Sequence, residues 1–218
     1  MKIYRLLFPS RIAAFLPVVL AATQLHASII WDESVNGDLS NDGSSPTALL
    51  LSGGVNAVLG TAGGTDKQDW VSVTVPTGFE LSTLVLAAYS STDVQGFIGV
   101  GMGPNFTNSV NSPSSYLGYS HFGTGAANGA LAPTNLVGAD ILSIMGNNVV
   151  DSPGSQGFTP PLSQGTYTFL IQQLGASTTY EFDFGVTAVP EPSPSALAGL
   201  AAAICWTFTV FRRGCARR

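Results

Sequence analysis

The chain has 218 residues, with eight Lys and Arg against thirteen Asp and Glu. Seven of the eight cations lie near the two ends, so residues 28–188 hold Lys67 alone against twelve acids, a net charge of −11. That surface repels phosphate backbones and anionic headgroups, which excludes nucleic acid as a partner. Both cysteines, Cys205 and Cys215, lie beyond this stretch, so the body has no disulfide, thiol nucleophile or cysteine-bound zinc.

The N-terminus starts basic (Lys2, Arg5, Arg11) and continues into an apolar run from Ile12 to Ala22, too short for a membrane span. A basic start, a short apolar core and a small-residue exit at Leu25-His26-Ala27 are the parts of a signal peptide over residues 1–27, a substrate for signal peptidase. Residues 28–188 are expected to form one domain, since some 160 residues supply a single core and not two. Period-two alternation dominates that body, and it shows no amphipathic helix.

Ser28–Trp31 is a short strand candidate. After it come Asp32, Glu33, Asn36, Asp38, Asn41 and Asp42, with Gly37 and Gly43 among them. Closely spaced oxygens in a Gly-containing loop suit Ca²⁺, although Asp38 to Gly43 does not follow EF-hand spacing. Asp and Asn also favour turns for their own backbone hydrogen bonds. Both readings stay open for Asp38 and Asp42, and for Asp66 and Asp69 further on. Ala48–Leu51 and Val55–Gly60 are further short strands.

Trp70-Val71-Ser72-Val73-Thr74-Val75 alternates cleanly, with the valines on one face, and Pro76-Thr77-Gly78 ends it. Trp70 lies on the opposite face, where either solvent or packing awaits it; with Trp31, Tyr116 and Tyr119 it is a candidate sugar platform. The stretch Asp66-Lys67-Gln68-Asp69-Trp70 through Val75-Pro76-Thr77-Gly78, with Gly165-Thr166-Tyr167-Thr168-Phe169, resembles the pre-peptidase C-terminal β-sandwich domains of secreted bacterial proteins. That resemblance implies a non-catalytic accessory fold.

Leu81 to Tyr89 is nearly all apolar and is expected to be a strand buried on both faces. Gln95–Val100 is another strand. The glycines from Gly99 to Gly103 lack the following helix that a nucleotide loop needs, so they form a strand exit. Gly101–Asp140 and Gly146–Gln164 are long Gly/Asn/Ser/Pro-rich loops where binding is expected. Within the first, Ser120 and His121 are neighbours, and neighbours on a strand point to opposite faces, unlike a nucleophile and its base. Ile141–Met145 is a short strand candidate. Thr166–Gln172 is β-branched and aromatic, and Thr179–Thr187 places Tyr180, Phe182, Phe184 and Val186 on one face. The fold class expected is all-β, an antiparallel sandwich or jelly roll.

Residues 189–218 differ in kind. Val189-Pro190-Glu191-Pro192 is a stiff hinge, residues 196–211 are an apolar helix candidate of ~24 Å, and Arg212, Arg213, Arg217 and Arg218 form a basic stop in the tip at 212–218. The arginines hold the C-terminus inside and leave the body outside a single transmembrane helix. This three-part tail resembles the PEP-CTERM sorting domain. The resemblance implies processing near Pro190-Glu191-Pro192 by an exosortase-type transpeptidase, a transient membrane anchor, and delivery to the cell surface or an extracellular polysaccharide matrix of the biofilm kind.

The function expected is therefore an exported, non-enzymatic surface or matrix protein with no cofactor, unless Ca²⁺ binds the acidic turns. Two alternatives remain: a secreted glycoside hydrolase acting through a carboxylate pair, and a single-pass membrane protein that is never cleaved.

Overall fold

A computed structural model describes residues 27–128, 132–147 and 150–190. Residues 1–26 of the signal peptide and everything in the sorting tail beyond Pro190 lie outside the described residues, including Glu191, Pro192, the helix expected at 196–211 and the four tail arginines. Among the described residues no helix is long and apolar enough to cross a membrane.

Among the described residues, nine strands form two sheets. They are β1 (Ser28–Asp32), β2 (Thr47–Leu50), β3 (Gly54–Ala62), β4 (Gln68–Val75), β5 (Phe79–Ser90), β6 (Gly96–Met102), β7 (Gly118–Phe122), β8 (Gly165–Gln172) and β9 (Thr178–Ala188). The first sheet runs β1-β3-β9-β5 and the second β2-β4-β8-β6-β7. From β1 to β6 the chain crosses to the other sheet at every step. β1–β3 and β2–β4, each two apart in sequence, thereby become neighbours and pair in parallel, whereas β9 separates β3 from β5 and β8 separates β4 from β6. The sheets are thus mixed, where an antiparallel sandwich or jelly roll was expected. Periodicity shows which side of a strand is apolar and does not show which strand lies beside it.

The two inner faces build one core. Val71, Val73 and Val75 of β4 and Phe169 and Ile171 of β8 face Leu84 and Leu86 of β5 and Phe182 and Phe184 of β9, all essentially buried. Phe169 meets Phe184 edge-on at 5.4 Å between ring centroids, and Phe122 meets Phe182 at 5.0 Å, so aromatic pairs join the sheets. Strand β5 is buried on one face only. Its outward Ser82, Val85 and Ala87 are half-buried, and two bulges, at Leu81/Thr83 and Leu86/Ala88, shift its register against β9.

Two short segments differ from expectation. Residues 142–146 form a one-turn helix, α2 (Leu142–Gly146), where a strand was expected. Asp140 Oδ1 accepts from the N–H groups of Leu84 and Leu142, tying the turn to β5 while Leu142 and Met145 enter the core. An apolar run of five residues fits either element by pattern alone. The long stretch after β6 also contains β7, which closes the second sheet.

A second, smaller apolar cluster lies on the outer face of the second sheet: Trp70, Phe106, Tyr116 and Leu170. Trp70 does point away from the valines, yet it is only 2 % exposed. The segment after β6 folds back over it, with Phe106 5.3 Å from Trp70 and 4.8 Å from Tyr116 between ring centroids. Strand β6 leaves room for this cover at Gly101 and Gly99. A Cβ there would stand 2.7 Å from the Phe106 ring and 2.5 Å from the Tyr116 ring. Tyr116 is therefore packing, and Trp31, half-buried against the main core, donates from Nε1 to the Gly37 carbonyl (3.2 Å).

A candidate cation site at the end of the sandwich

The acidic residues after β1 are held by a short helix, α1 (Glu33–Asn36). Asp32 caps it, its Oδ1 accepting from the N–H (2.9 Å) and hydroxyl (2.7 Å) of Ser34, while Asn36 Oδ1 accepts from the Asp32 N–H (2.9 Å). Gly37 ends the turn at φ 90°, a left-handed backbone suited to glycine. The turn projects Glu33 across the end of the first sheet. Its Oε1 accepts from the Leu39 N–H (3.0 Å) and its Oε2 from the Thr61 N–H (2.7 Å) on β3. Leu39 is buried, and Ser40 then accepts from the Trp70 N–H (2.7 Å), which brings Asp38 beside the start of β4.

From the other side, a tight turn between Gly63 and Asp66 leads into β4. Asp66 reaches the side chains of Asp38 and Asn41. Asp69 shares the inward face of β4 with the core valines and is 0 % exposed. Its Oδ2 accepts from the Tyr180 hydroxyl (2.6 Å), itself buried on β9. Gly60 on β3, paired with Tyr180, makes room for that phenol, because a Cβ there would meet its hydroxyl.

Glu33, Asp38 and Asp69 thus each offer an oxygen within 4.8 Å of the others. Oxygens bound to one Ca²⁺ at ~2.4 Å stand at most about 5 Å apart, so the three fit one ion. Oδ1 of Asp69 and Oδ1 of Asp66 are both shielded from solvent with no hydrogen-bond partner. A buried carboxylate left this way is costly, and Lys67 is the only Lys or Arg in the body. Burial pushes the Asp69 carboxyl up to about 8, against the Tyr180 hydrogen bond and with help from the charges of Glu33, Asp66 and Asp38. Burial raises Glu33 and Asp66 as well, with Asp38 adding to each. Tyr180 is raised well above the usual phenol, first by burial and then by Asp69. The donor set is all carboxylate, with no His or Cys, which suits a hard cation such as Ca²⁺.

Of the four residues singled out from sequence, Asp38, Asp66 and Asp69 come together, and Asp42 does not join them. Its carboxylate accepts from the Ser44 N–H (2.8 Å) and hydroxyl (2.8 and 2.9 Å), which lowers its pKa. Asp42 takes the turn chemistry instead. Glu33 belongs to the site, though sequence placed it only in the wider acidic cluster. Its closeness to Asp69 depends on pairing between strands far apart in the chain. Glu33 and Tyr180 also line a cleft of about 350 Å³ whose walls carry Asp32 and Glu181. On β7, Ser120 is buried and bonded to Asn128, and His121 faces the other way with Nδ1 2.8 Å from the Ala127 carbonyl.

Among known proteins, no family model, no curated protein and no solved structure matches this chain.

Proposed function

We propose that this chain is an exported, non-enzymatic surface or matrix protein whose β domain is clamped by Ca²⁺ and whose C-terminal tail is a sorting signal. The observation that carries the clamp is Asp69: fully buried, with one oxygen unpartnered, inside a group of carboxylates spaced for one ion. A cation there would tie the turn after β1 to the start of β4, which belong to different sheets, and through Tyr180 to β9. The clamp therefore stiffens the sandwich at one end, as suits a domain without disulfides outside the cell. Ca²⁺ at about 100 times its dissociation constant adds ~2.7 kcal/mol. For a domain of this size that is a rise of roughly 5–10 °C in Tm. The test is a thermal melt of the exported protein in EDTA and again after excess Ca²⁺. An unchanged Tm sinks the clamp.

For delivery, the support is the order of parts at the C-terminus. Strand β9 ends at Ala188, and the Val189 N–H still donates to the Gly78 carbonyl (2.9 Å), so Pro190 follows the domain with no stalk. Signal peptidase would remove residues 1–27. The tail would hold the acidic body at a membrane surface that repels it until an exosortase-type transpeptidase cuts near Pro190-Glu191-Pro192 and the body passes to the cell surface or polysaccharide matrix. The intact mass of the protein from its producing cells decides this: a mass that retains residues 196–218 rules out processing and favours an uncleaved anchor. The hydrolase alternative has its best setting in the 350 Å³ cleft with Glu33 and Glu181. There, however, both Glu33 oxygens already accept backbone N–H groups.

A further inference from the structure

The outer face of the second sheet is covered unevenly. Over Gly101 and Gly99 the rings of Phe106 and Tyr116 seal it, but the next outward position on β6 is Phe97, where the cover stops. Phe97 pairs with Gln172 of β8 on one side and His121 of β7 on the other, so an amide, a phenyl ring and an imidazole form a row across three strands. All three are half-buried. Tyr119 stacks on Phe97 at 5.7 Å and 28° between planes, and its hydroxyl donates to the Pro153 carbonyl (2.7 Å). His121 stands edge-on to Phe97 at 5.9 Å, held at Nδ1 by the Ala127 carbonyl. The platform is thus fixed before any ligand arrives.

Clefts open on both sides of Phe97, one of about 270 Å³ toward Gln95 and Gln172, the other of about 200 Å³ toward Asn111 and Tyr119. Among the described residues neither is lined by any Asp, Glu, Lys or Arg, although the body carries twelve acids. The Gln172 amide makes no hydrogen bond among the described residues, so both its donors and its acceptor are available to a ligand. Flat rings with carboxamides beside them match one ligand chemistry closely. A hexose presents an apolar C–H face to a ring and rims it with hydroxyls that both donate and accept, with no charge to neutralise.

We propose that the Phe97–Tyr119 platform with Gln95, Gln172 and His121 is a binding site for an uncharged polysaccharide, taking successive sugar units in the two clefts. This deepens the matrix reading above, and the two fail separately, since the mass measurement reports processing alone. The test is native electrophoresis of the full exported protein through gels holding dextran, mannan, laminarin or xylan as neutral probes and alginate as the acidic one. At least one neutral gel should retard the protein and alginate should not. Gln172→Ala, on the solvent side of β8, should weaken the retardation about tenfold, as losing one well-placed hydrogen bond does. Phe97→Ala should abolish it, with its Tm measured alongside to separate lost binding from lost fold. Passage through all four neutral gels without delay overturns the proposal. So does retardation by alginate alone, or retardation that Gln172→Ala leaves unchanged.

Discussion

Asp69 and Trp70 are neighbours in the chain and meet opposite problems. Strand geometry sends one into the sandwich and the other out of it. Inside, a carboxyl group sits in an apolar core with a tyrosine hydroxyl as its one hydrogen-bond partner among the described residues. Outside, an indole on a face that solvent would otherwise reach is covered by a folded-back segment bearing Phe106 and Tyr116. The two solutions share an anchor, since the Phe106 N–H donates to Gly43 (2.6 Å) and Asn105 Nδ2 to Ser44 (3.3 Å), in the same turn region that holds Asp38 and Asp42. The difference is in what completes each. The aromatic face is completed by the protein's own side chains, whereas the acidic end gathers Glu33, Asp38, Asp66 and Asp69 in a body whose one Lys or Arg is Lys67.

The largest expected effect follows from that deficit. Asp69 titrates near 8 in the fold and near 4 when unfolded, so between those values the folded state holds more protons. Stability in EDTA should therefore fall as pH rises from about 4 to about 8, with a slope approaching ~1.4 kcal/mol per pH unit from this group. Excess Ca²⁺ should flatten the fall, because the bound site is already ionised. Urea midpoints at each pH, with and without Ca²⁺, give the measurement. Equal slopes in the two conditions would break the distinction between the regions.

Next is the aromatic side. Phe106→Ala should cost ~3–5 kcal/mol, the usual loss for a buried phenylalanine. The Ca²⁺-induced rise in Tm should remain, since Phe106 touches no site carboxylate. Asp69→Asn is its converse. It should erase the ~2.7 kcal/mol gained at about 100 times the dissociation constant, and with it the pH slope in EDTA. If Asp69→Asn still responds to Ca²⁺, the ion binds elsewhere.

These two variants also mark what was legible in the sequence. The alternation of Val71, Val73 and Val75, and of Tyr180 through Val186, fixes the inner faces, and all seven are buried. It also turns Trp70 away from the valines, while Asp69, read only as an acid ahead of the strand, takes the valine side in the fold. What periodicity lacks is the partner across the gap. Tyr180 lies 111 residues from Asp69, and Gly60, which leaves space for its hydroxyl, looks like any strand glycine. The fold-back over Trp70 was equally hidden. Gly99 and Gly101 suggest a turn by composition, yet they are flat strand positions kept bare for Tyr116 and Phe106. The parallel pairs arose from sheet crossing, which no local pattern records.

Tyr180→Phe should be milder, about 1–3 kcal/mol in EDTA, because it leaves a second Asp69 oxygen buried without a donor. With Ca²⁺ saturating, the loss should shrink as the ion takes up the freed oxygen. Thermal melts of this variant in both conditions check that narrowing.

Asp42→Ala is expected to do least, and it decides between the two chemistries that acidic turns can serve. A ligand to the ion and a cap for its own turn both look like an Asp beside a glycine. In the fold, both Asp42 oxygens accept from Ser44, and those bonds lower its pKa. A lowered carboxylate supports the fold above its unfolded pKa and loses that support as pH falls through the folded value. The substitution should therefore remove a small, acid-sensitive part of stability. It should leave the Ca²⁺ response and the EDTA pH slope between 4 and 8 as they are. Calorimetric titration of Ca²⁺ into Asp42→Ala checks this directly. A weakened affinity would place Asp42 among the ligands, and would mean that the turn at Ser44 opens when the ion binds.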